Sequence, residues 1–182
     1  DARAGDVLIL GKALGVGILS AALKKNRLDE AGYRAMITET TRLNRPGPAL
    51  AAMEGVHAIT DVTGFGLLGH TLEMARGAQL TAHVSRDALP WLPGVQAFAA
   101  DGVITGASGR NWASYGESVR LAGDVSDTER ALLTDPQTAG GLLVACSPDA
   151  AKAVLDLFRQ HGFEQAAVIG EMRAGAPEVR VD

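Results

Sequence analysis

The chain has 182 residues, with 17 Lys and Arg against 21 Asp and Glu for a formal net charge of −4; 47% of it is hydrophobic and 4% aromatic. A chain of this length buries about 70% of its unfolded surface, so an aliphatic core forms without disulfides or a structural metal. Mild acidity excludes the electrostatic footprint of a nucleic-acid or anionic-membrane binder, no apolar run nears the roughly 20 residues of a membrane span, and the lone Cys146 excludes a disulfide framework or cysteine zinc cluster.

Asp1 begins the chain without an initiator Met, as expected of a piece excised from a longer protein. Val7-Leu8-Ile9-Leu10 is a continuous apolar run closed by Gly11, the pattern of a strand buried on both faces. After Gly15-Val16-Gly17, a helix places Ile18, Ala22 and Leu23 on one face. Asp29 caps a second helix that runs to about Arg42 and cannot continue through Pro46. Residues 48–53 form a third, ended by Gly55. The next strand is predicted over residues 56–61, and a helix over 67–76 that Gly77 stops. Leu80, Ala82 and Val84 alternate with Thr81, His83 and Ser85, the period of a half-exposed strand. Residues 90–123 carry the weakest pattern, with a helix over 95–100 and a polar loop over 105–112. Ser126 and Glu129 have capping-box spacing. Residues 142–146 form an apolar strand, after which Ser147-Pro148 supplies an N-cap and first-turn proline. Ala151, Val154, Leu155 and Phe158 are the buried stripe of that helix, which ends at Gly162. Residues 167–170 and 178–181 are expected to close the chain as a hairpin around Gly175-Ala176-Pro177. This alternation specifies one α/β domain, residues 1–182, with a mixed sheet and helices packed on it.

The most informative stretch runs from Ile59 to His70. Asp61 sits where a strand ends, followed by a turn holding Gly64 and Gly66 and then a helix start. Ligands of open α/β sheets collect outside the carboxyl ends of strands, and a helix amino end offers unpaired amides to an anion. Mg²⁺ takes one or two protein carboxylates and leaves the rest of its shell to water and phosphates. Asp61 fits that role, or else it caps the local turn with its own side chain. Asp135-Pro136-Gln137-Thr138-Ala139-Gly140-Gly141 is either a second close approach of backbone to ligand or a turn opened by Asp-Pro and closed by Gly-Gly. Lys12-Ala13-Leu14-Gly15-Val16-Gly17 lacks the order of a phosphate-binding Walker loop and reads as a turn, with contact of Lys12 to a phosphate as the other reading. His57, His70, His83 and His161 have no i, i+4 zinc spacing. His70 is near the candidate site and reads as a bonded structural histidine ahead of a catalytic one. Cys146 reads as an inert core thiol, and Arg110-Asn111-Trp112 as a loop anchored by a packed Trp, with an anion or partner contact as the other reading.

Thr60-Asp61-Val62-Thr63-Gly64-Phe65-Gly66-Leu67-Leu68-Gly69-His70 resembles the signature of the selenophosphate synthetases (selenide, water dikinases). The Asp135-to-Leu143 stretch resembles that family's second motif, with Ala139 where Ser is usual, and Lys12-to-Gly17 is similar to a third, departing at Ala13 and Val16. Arg110-Asn111-Trp112 matches in place and order. The resemblance covers the C-terminal domain alone, a layered α/β domain like that of aminoimidazole ribonucleotide synthetase and partly ferredoxin-like. It implies an enzyme converting ATP, selenide and water to selenophosphate, AMP and phosphate, with Mg²⁺ and a monovalent cation. It places the catalytic Cys or selenocysteine, a Lys and most metal-binding aspartates in an N-terminal ATP-binding domain that this sequence lacks, so no catalytic residue is expected here. It assigns Asp61 to the metal and leaves Thr63, Gly64 and Gly66 as candidates for approach to phosphate. The implied partners are that N-terminal domain, ATP, selenide and a second copy of the whole protein, in the cytoplasm, with no nucleic acid and no membrane. The alternatives are another ATP-dependent enzyme of the superfamily or a non-catalytic binding module.

Overall fold

In a computed structural model, which describes residues 2–182, the two continuous apolar runs lie side by side inside one sheet. The strands are β1 (Val7–Leu10), β2 (Val56–Asp61), β3 (Thr81–Val84), β4 (Val119–Leu121), β5 (Leu142–Cys146), β6 (Ala167–Arg173) and β7 (Val179–Val181). The helices are α1 (Val16–Lys24), α2 (Glu30–Thr41), α3 (Gly47–Ala51), α4 (Gly66–Ala78), α5 (Val95–Ala100), α6 (Gly106–Tyr115), α7 (Asp127–Leu133) and α8 (Ala151–Gln160). Sheet order is β2-β5-β1-β6-β3-β7-β4. From β2 to β3 all pairs are antiparallel, while β7 runs parallel to both β3 and β4. The α/β class and the mixed sheet are as the sequence predicts.

Alternation along the strands sends successive side chains into different layers. Leu8, Leu10, Leu143 and Ala145 join Leu67, Leu68 and Leu72 of α4 in one core. Ile9, Val144 and Cys146 meet Val154 and Phe158 of α8 in another. A third cluster gathers Ile18 and Leu19 of α1, Met36 of α2, Val95 of α5 and Leu132 of α7. Every residue of β5 is buried, because it has a strand on each side and a helical layer on each face. The expected caps are present: Asp29 accepts from the Gly32 amide at 2.7 Å, and Ser126 and Glu129 form a reciprocal capping box.

Tertiary contacts overrode local pattern at several places. The closing hairpin does not form, because β3 lies between β6 and β7. The Ala82 amide donates to Glu178 O at 2.9 Å and the Thr81 hydroxyl to Ala176 O at 2.7 Å, so the backbone after Gly175 is bonded to β3 and not to β6. That interior position also buries Thr81, Ala82 and Val84, and the strand is not half-exposed. Residues 105–112 are not a loop. Thr105 accepts from the Ser108 amide at 3.2 Å and caps α6, a helix that survives two poor helix formers, Gly106 and Gly109, through the buried anchors Asn111 and Tyr115. Gly77 lies within α4, whose carboxyl cap is Gln79 at φ +56°. Ser147 makes no side-chain cap; Pro148 opens a single tight turn over residues 148–150 ahead of α8. The short β4 carried no pattern long enough to read.

Candidate functional site

β2 delivers Asp61 to its exposed end at the edge of the sheet. Among the described residues its carboxylate has no ion pair or hydrogen bond, so it is free to take a cation. The next residues are pinned from behind. The Val62 amide donates to Gly141 O at 2.9 Å, and Thr63 O accepts from the amides of Gly66 and Gln137, both at 3.0 Å. Gly64 O accepts from Asn111 Nδ2 at 2.9 Å, and Phe65 O from the Tyr115 hydroxyl at 2.7 Å. Burial pushes the Tyr115 phenol up, which keeps it a donor. Three consecutive carbonyl oxygens are therefore engaged by donors from the rest of the fold.

The two turn glycines do different work. Gly66 has φ +70°, and a Cβ there would stand 2.8 to 2.9 Å from the backbone of Thr134 and Asp135. Its amide is bonded to Thr63 O, so Gly66 serves the packing of two loops. Gly64 is exposed, with open space where a side chain would stand.

Thr63 ends a short relay. Its hydroxyl lies 3.1 Å from His70 Nε2, and His70 Nδ1 lies 2.9 Å from a Glu73 carboxylate oxygen. An ionised carboxylate only accepts, so when the imidazole is neutral its proton sits on Nδ1 and Nε2 accepts from Thr63. The Thr63 oxygen then offers lone pairs rather than a proton. His70 is buried and bonded on both nitrogens, as the structural reading expected.

The two loops left open by the sequence hold each other. Gln137 Oε1 accepts from the amides of Gly15 and Val16 at 3.1 and 3.2 Å, and Asp135 accepts from the Ile18 amide at 3.2 Å, so the second loop caps the amino end of α1. Lys12 is buried, and its ammonium donates to Ala139 O at 2.7 Å, Arg42 O at 2.6 Å and Glu39 O at 3.1 Å. Burial lowers its pKa, with the Glu39 charge opposing. Lys12 ties the loop to the carboxyl end of α2 and is not presented to a phosphate. Asn111 and Tyr115 were missed as parts of this assembly; the Arg110-Asn111-Trp112 motif was the available signal. Trp112 packs under the Arg130 guanidinium, 5.2 Å from the ring centre.

Elsewhere, His57 pairs with Asp6 at 2.7 Å, and Cys146 is buried with its thiol pushed up to about 11 by desolvation. Among the described residues no three His, Cys, Asp or Glu side chains group as a metal site, and no helix is long and apolar enough to cross a membrane. A hard cation at Asp61 would draw its other ligands from water, substrate or another chain segment.

The sequence profile of the family described as AIR synthase related protein, C-terminal domain, matches residues 3–182. The chain is 68% identical over 181 residues to the selenide, water dikinase of Pseudomonas straminea, covering 100% of this chain and 51% of that protein. It is 69% identical over 180 residues to the enzyme of the same description from Burkholderia ambifaria, covering 99% and 51%. The chain thus spans about half the length of these relatives. Among solved structures, thiamine-monophosphate kinase from Stenotrophomonas maltophilia superposes with a TM-score of 0.67 at 21% identity, over 100% of this chain and 51% of that one. The hydrogenase maturation protein HypE from E. coli gives 0.64 at 23%, over 98% and 46%.

Proposed function

Because this chain belongs to the family of AIR synthase related C-terminal domains, we propose that it is the C-terminal half of a selenide, water dikinase. The whole protein would convert ATP, selenide and water to selenophosphate, AMP and phosphate, as a cytoplasmic homodimer. The observation that carries this reading is the identity of 68% to 69%, sustained over essentially the full chain, to proteins of that description.

Asp61 fits a Mg²⁺ ligand: it is exposed, unpaired and held at a strand end by a turn whose carbonyls at residues 63–65 are hydrogen-bonded to the rest of the fold. Mg²⁺ bound there would neutralise charge on the nucleotide phosphates, the main requirement of phosphoryl transfer. Thr63 lends an oxygen whose proton is turned toward His70, a second hard acceptor two residues from the carboxylate. Gly64 leaves the backbone open to a phosphate oxygen, with the neighbouring carbonyls bonded inward. Gly66 holds this turn against the Asp135 loop. The N-terminal domain would supply the nucleophile, the remaining metal ligands and most of the ATP site.

In the complete protein, Asp61→Asn should lower selenide-dependent AMP formation by about 10²- to 10³-fold, the cost of removing one transition-state electrostatic contact. The Asp61 side chain has no bonds to lose, so the circular dichroism spectrum and melting temperature should stay the same. An undiminished rate would remove Asp61 from the mechanism, and AMP formation independent of selenide would remove the substrate assignment.

A further inference from the structure

A recess of about 600 Å³ lies between the carboxyl half of α1 and the amino end of α6, with Pro136 and Thr138 of the Asp135 loop in its wall. Its volume falls in the range of small-molecule sites. Lys24, Lys25 and Arg110 line it, and no carboxylate does. This is unexpected in a chain with more acidic than basic residues. Elsewhere the exposed cations are mostly matched, Arg27 with Asp101 and Arg34 with Glu30 for example. Among the described residues the side chains of Lys24, Lys25 and Arg110 have no ion pair and no hydrogen bond.

The carboxyl end of α1 accounts for lysines at 24 and 25, since the helix dipole favours cations there. It does not account for Arg110. That guanidinium folds back along α6 until Nη1 lies 3.4 Å from where a Cβ on Gly106, the first residue of the helix, would stand. A cation at the amino end of a helix is opposed by the dipole, and two further cations line the same recess. An anion of more than one negative charge offsets all of these together.

We propose that this recess binds a phosphate group, either as inorganic phosphate or carried on a nucleotide. Three cations suit a phosphate dianion better than a single carboxylate, and arginine's planar fork suits phosphate oxygens. Thr105 and Thr138 line the same space. This site is separate from the metal role of Asp61 and does not depend on it.

The test is calorimetric titration of the 182-residue chain with inorganic phosphate, with ADP and with adenosine, in EDTA so that no divalent ion contributes. Saturable binding of phosphate or ADP, absent for adenosine, is expected. Tighter binding of ADP would identify a nucleotide as the source, and equal binding would identify phosphate alone. Arg110→Gln should weaken binding about tenfold or more, the loss of one charge-assisted contact. Lys24→Gln combined with Lys25→Gln should weaken it again, and all three side chains are exposed, so melting temperatures should hold. Absence of saturable binding, or equal affinity in the wild type and both variants, would overturn the site.

Discussion

Asp135 is almost fully buried. One carboxylate oxygen accepts from Ile18 N and Gln137 Nε2, both at 3.2 Å, and the other has no partner. Burial pushes its pKa up to about 7, against the hydrogen bonds that favour the charge. A raised carboxyl pKa means the folded chain holds a proton that the unfolded chain has released. Stability from this group is therefore full below about pH 4, falls as pH rises toward 7, and is level above it. The span corresponds to at most about 4 kcal/mol. Chemical denaturation at pH 5 and pH 8 should show the chain less stable at pH 8. Asp135→Asn should flatten that difference and leave the variant more stable than the wild type at pH 8. Neither the burial nor the bond to Ile18 was legible at this residue, since Asp-Pro in a polar stretch is also what an exposed turn looks like.

At the scale of elements, two loops and two helix ends are joined by single residues. Lys12→Met keeps the stem volume but leaves the carbonyls of Glu39, Arg42 and Ala139 without their shared donor. A loss of about 3 kcal/mol is expected, read as a shift of the urea midpoint with an unchanged slope. Gly66→Ala places a methyl group against the backbone of Thr134 and Asp135 at a positive φ. It should cost more than about 1 kcal/mol, and in the complete protein it should lower activity by moving the Asp61 turn. The same substitution at Gly64, where the space is open, should leave stability within about 0.5 kcal/mol. Helices with a strong cap or stripe were legible, such as α7 with Ser126 and Glu129 and α8 with Val154 and Phe158. Helix α6 was not, because its stability comes from Asn111 reaching Gly64 O and Thr134 O, contacts 47 and 23 residues away in sequence.

For the whole molecule, the nucleophile and the remaining metal ligands are proposed to lie in the N-terminal half, so this chain alone should bind Mg²⁺ weakly at Asp61 and show no turnover. Purified chain incubated with ATP, Mg²⁺ and selenide should release no selenophosphate by phosphorus NMR; measurable product would contradict the division of roles between domains. Composition, apolar runs and cap residues by themselves determined an α/β domain with a mixed sheet, β1 as a strand buried on both faces, β5 as an apolar strand, and Asp61 at a strand end. These are local signals, carried by residues close in sequence. The insertion of β3 between β6 and β7, the mutual locking of the Lys12 and Asp135 loops, and the gathering of Lys24, Lys25 and Arg110 around one recess were decided only by tertiary structure. Each depends on which distant backbone groups find partners when the chain closes, and neither periodicity nor propensity encodes that choice.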